Sequence, residues 1–89
     1  MIDDEQALGL GRKVFAVQMA IRDPGAQGAM DAITDLGLDS RYYVMVRGWL
    51  SQQLAGDLSI ANASGDTAPE RVHQRIEFLQ RAIRAIDLE

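Results

Sequence analysis

Val72, Ile76, Leu79, Ile83 and Ile86 recur at spacings of four, three, four and three without a miss. That seam admits one local structure, an amphipathic α-helix with a continuous apolar edge. It is too short for a free-standing coiled coil, so it needs a partner within a bundle. Phe78, Ala82 and Ala85 widen the edge on one side. Thr67-Ala68-Pro69-Glu70 precedes it as a capping box with proline near the first helical position.

The partner that the sequence offers is Arg41–Ala63, RYYVMVRGWLSQQLAGDLSIANA, which holds both tyrosines and the one tryptophan. Tyr42, Tyr43, Val46, Trp49, Leu50, Leu54, Leu58, Ile60 and Ala61 cover about half of its helical wheel. Asp39 or Ser40 is the expected N-cap. Gly48, Gln52, Ala55, Gly56 and Ser59 form a small-residue back, suited to close approach by another helix. Gln53 and Asp57 interrupt the apolar half, and an unpaired buried carboxylate is very costly. Three readings are open. The helix ends at Gly56, with Asp57 capping a new turn; the two residues lie at a partly solvated rim; or they form a buried polar site with an arginine.

Upstream, acidic Asp3, Asp4 and Glu5 suit the positive end of a helix dipole. Leu10, Val14, Val17 and Ile21 then mark one helical face. Leu8, Phe15 and Met19 form a second strip, roughly 140° away. Two strips on one helix imply two partners, the chain's own core and a neighbour or second subunit. Gly9 and Gly11 weaken this helix or permit close contact. Asp23-Pro24-Gly25 stops it. A short helix is expected from Ala26 to Leu36, with Ala29, Met30, Ile33 and Leu36 inward, Asp31 and Asp35 in water, and Gly37 as a left-handed cap. Asn62–Asp66 is the clearest loop. No segment alternates like a strand and no linker divides the chain. The expectation is therefore all-α: residues 1–89 as a single domain, a small antiparallel bundle of about four helices with a short second one and no sheet. Leu88-Glu89 reads as a cloning remnant.

With 89 residues the stability margin is thin, and oligomerisation is a common way to widen it. The absence of cysteine rules out disulfides and thiolate chemistry, and a single histidine, His73, rules out a histidine-rich metal site within one chain. The net charge of −4 opposes general nucleic-acid or membrane binding. No phosphate loop, dinucleotide fingerprint, zinc-protease motif or nucleophile elbow is present. No catalytic, cofactor-binding or metal-ligating set is assigned. His73 and Glu77 are a helix-surface pair; as an acid–base pair they lack any nearby nucleophile.

These readings favour a cytoplasmic, non-enzymatic protein acting through protein–protein contact, as a homodimer or with another protein, with no membrane or small-molecule partner. Phe15, Met19, Tyr42, Tyr43, Trp49 and Phe78 are the interface candidates, because interfaces enrich aromatics and methionine. The alternative is a nucleic-acid accessory role, with Arg71, Arg75, Arg81 and Arg84 contacting phosphate. On the wheel Arg71 and Arg75 share one side with Phe78, and Arg81 and Arg84 lie on the other.

Overall fold

The computed structural model describes residues 4–87; Asp3 and Leu88-Glu89 lie outside them. It contains four α-helices, α1 (Asp4–Arg22), α2 (Ala29–Gly37), α3 (Tyr43–Ser64) and α4 (Glu70–Asp87), and no strand among the described residues. A 3-10 turn, Gly65–Thr67, joins α3 to α4. α3 and α4 form the main hairpin, with the start of α3 held to the end of α4. α2 packs across both, and α1 packs chiefly on α2, running antiparallel to it. The bundle is elongated, 51 × 23 × 20 Å. Its radius of gyration of 14.2 Å exceeds the ~12 Å of a compact domain of this length.

The core cluster joins all four helices: Val17, Ala20 and Ile21 of α1; Ala29, Ile33 and Leu36 of α2; Val46 and Leu50 of α3; Phe78, Leu79, Ala82 and Ile86 of α4. Leu10, Val14 and Ile83 are partly buried against it. Leu79, Ile83 and Ile86 of the α4 seam and the first strip of α1 thus face inward, as their spacing requires, while Val72 is buried outside this cluster and Ile76 is half-buried.

Four boundaries differ from the sequence expectation. α2 begins at Ala29, because Ala26–Gly28 are used in turns and Gly28 adopts φ +79°, a left-handed conformation that glycine enters without cost. α3 runs unbroken through Gly56 and the expected loop to Ser64; Gly65, at φ +55° and ψ −128°, stops it. The N-cap of α3 is Tyr42, not Asp39 or Ser40. The Asp39 carboxylate instead closes a turn one step earlier, accepting from the Arg41 N–H at 3.0 Å. The Thr67 hydroxyl donates to the Ser64 carbonyl at 2.6 Å, closing the 3-10 turn, where a capping box was expected.

Gly37 is a buried residue in the last turn of α2 rather than a left-handed cap. A Cβ there would lie 2.8 Å from Ile86 Cγ2 and 3.2 Å from Val46 Cγ1. Both neighbours are buried and β-branched, hence stiff. Overpacking costs about 1–3 kcal/mol, against roughly 1 kcal/mol gained from helix propensity. Gly37→Ala is therefore expected to destabilise the fold by about 1 kcal/mol in urea denaturation, whereas a left-handed cap would lose without any repacking of Ile86 in NMR methyl shifts. Gly9, Gly11, Gly48 and Gly56 have open space where a Cβ would stand, so no helix of the chain uses them for close approach.

Candidate functional site

Two surfaces carry features beyond what folding demands. The first begins inside the bundle. Asp57 sits on the core-facing stripe of α3, which runs Val46, Leu50, Asp57, and is 0% exposed. Arg75 of α4 meets it side-on: Nε donates to Oδ2 and Nη2 to Oδ1, both at 2.7 Å. Gln53 Nε2, one turn earlier on α3, donates to Oδ1 at 3.2 Å. The carboxylate is thereby satisfied by three donors, two of them charge-assisted. Of the three readings open for Gln53 and Asp57, the geometry is the buried polar site with an arginine partner. The pairing raises the Arg75 pKa, chiefly through its hydrogen bonds to Asp57.

Arg75 also lines a cleft of about 370 Å³ between α4 and the α1–α2 turn. Arg22, Asp23, Pro24 and Gly25 form one wall, and Arg71, Gln74, Phe78 and Arg81 the other. Arg81 therefore joins Arg71 and Arg75, although the helical wheel assigned it to the opposite side; the wheel angle between Arg71 and Arg81 is only about 80°, within reach of a long side chain. Arg84 lines a separate groove with Leu54, Gln80 and Ile83. Arg22 comes from another helix, and no pattern within α4 pointed to it. Among the described residues Arg22, Arg71 and Arg81 form no ion pair.

The second surface is the outer face of α1. Leu8 is 62% exposed, Phe15 64% and Met19 43%, on the side of α1 turned away from the core-facing strip. Of the six aromatic and methionine candidates, only Phe15 and Met19 stand on it. Phe78 is 5% exposed and belongs to the core cluster, which leaves its ring almost no area for a partner. Tyr42, Tyr43 and Trp49 are half-buried against the core. Trp49 lines a groove with Gln18, Ile21 and Arg22 of α1. The Arg41 guanidinium lies 5.1 Å from the centre of the Tyr42 ring and is paired with Asp39. That pairing holds the Asp39 carboxyl at about 2.

The Tyr43 hydroxyl donates to Asp87, which Arg47 also grips with Nε at 3.0 Å and Nη2 at 3.2 Å. Arg47 first, then Tyr43, holds the Asp87 carboxyl below the usual carboxylate range, and the same hydrogen bond pushes the Tyr43 phenol up. Tyr43 and Arg47 thus join the start of α3 to the end of α4.

Comparison with protein-family models, with curated proteins and with solved structures finds no match to this chain. The two surfaces themselves therefore carry the functional reading. His73 and Glu77 are both exposed and lie outside the arginine cleft. Among the described residues no group of three or more His, Asp or Glu side chains is placed to hold a metal ion, and no helix is long and apolar enough to cross a membrane.

Proposed function

We propose that the chain is a non-catalytic helical module that works by protein–protein contact, pairing with a second copy of itself through the outer face of α1. The observation that carries this reading is the exposed Leu8–Phe15–Met19 strip. It is aligned along one helix, lies opposite the core, and joins an aromatic to a methionine, a composition that interface centres favour. Scattered exposed leucines need no explanation, but an aligned apolar strip on a small soluble domain does. A helix pair about 28 Å long gives an interface at the low end of the range for specific complexes, so the affinity expected is micromolar.

Phe15→Glu tests the assignment, because its exposed side chain can be changed without disturbing the core. The expected result is loss of the dimer in size-exclusion light scattering, with helical content and thermal midpoint of the dilute chain unchanged. Val44, 78% exposed on α3, is the control. Val44→Glu should leave the dimer intact; equal effects of the two substitutions would remove α1 from the interface.

A further inference from the structure

We propose that the cleft between α4 and the α1–α2 turn is a binding site for a phosphate monoester, held by Arg22, Arg71, Arg75 and Arg81. This goes beyond the pairing of two chains and rests on different residues. Four arginines line one cleft of a chain whose net charge is −4. Asp23 is the one carboxylate in the lining, and Asp57 behind it neutralises Arg75. Two positive charges remain in excess, which matches a phosphate dianion.

Arg75 is the fixed member. Its Nε and Nη2 are committed to Asp57, and Nη1 makes no hydrogen bond among the described residues. A guanidinium clamped on one edge presents the other in a set direction, which lowers the ordering cost of binding an oxyanion. Asp57 is thus a positioning residue for the cleft.

The placement of Arg71 argues that the charges do not serve the helices. Arg71 is the second residue of α4, where the helix dipole disfavours a cation. Arg22, in the last turn of α1, is the only one of the four that its own helix terminus favours. The arginines converge on one cleft instead of tracking along a groove, the arrangement that a run of backbone diesters would need. Pro24 supplies apolar wall for the organic part of an ester.

Isothermal titration at low salt tests the site with three probes: inorganic phosphate, a nucleoside monophosphate, and a single-stranded oligonucleotide lacking terminal phosphates. Saturable binding of the monophosphate, at least as tight as inorganic phosphate and tighter than the oligonucleotide, is the expected result. Arg71→Ala and Arg81→Ala should each weaken it by about tenfold, the loss of one charge-assisted contact, whereas Arg84→Ala should not. These side chains are exposed, so the variants keep the fold. No binding of either phosphate probe, binding indifferent to Arg71 and Arg81, or tighter binding of the oligonucleotide would overturn the assignment; the last would favour nucleic acid. Since Phe15 lies outside the cleft, Phe15→Glu should leave phosphate binding intact, so the two proposals fail separately.

Discussion

Asp57→Ala will lower the unfolding free energy by about 3 kcal/mol and the thermal midpoint by roughly 12–24 °C. The carboxylate is fully buried, whereas the Arg75 side chain keeps 23% of its surface. Removing the carboxylate strands a cation that is mostly buried and meets water only along its free edge in the cleft. Breaking a fully buried pair costs about 3–5 kcal/mol, and the partial exposure of Arg75 puts this one at the lower end. Against a total stability of about 5–15 kcal/mol the loss is large. The pair itself is a different matter. Replacing both partners with apolar side chains of similar size, Asp57→Leu with Arg75→Met, should return stability to within about 1 kcal/mol of the parent. Urea denaturation of the single and double variants separates the two quantities. A loss below about 1 kcal/mol for Asp57→Ala would mean that the pair is already screened by water.

Leu79→Ala is the second large effect, about 3 kcal/mol within the 2–5 kcal/mol usual for such truncations. Leu79 is fully buried at the middle of the α4 seam, where the core cluster of all four helices meets. Removing its side chain leaves a cavity in a cluster whose β-branched members, Ile33 and Val46 among them, are stiff and relax little. Ile83, one turn on along the same seam, is only partly buried, and Ile83→Ala should cost about half as much. Equal losses at the two positions would mean that α4 is rotated from the orientation described.

The helices were legible in the sequence because their apolar spacing is regular. The seam of α4 and both strips of α1 required only local periodicity, and the structure places the inner ones in the core. What was not legible depended on residues distant in the chain. Gly56-Asp57 reads locally as a stop and a new start. It is neither, because Arg75, 18 residues later, satisfies the carboxylate and makes an unbroken helix the cheaper solution. Gly37 reads as a cap by its place after an apolar run, yet its role is set by Ile86, on another helix. The bond from Tyr43 to α4 was not legible, because nothing near it in sequence announced Asp87 as a partner. The arginine cleft was half visible: Arg71, Arg75 and Arg81 were singled out as a set with Arg84, but the member that closes the cleft, Arg22, belongs to α1.

The proposed self-association surface is the outer face of α1. Sedimentation equilibrium of the unmodified chain across the micromolar range tests it. The expected mass is twice the 9.8 kDa of one chain at the upper concentrations, falling towards 9.8 kDa on dilution. A mass of 9.8 kDa at every concentration would contradict it.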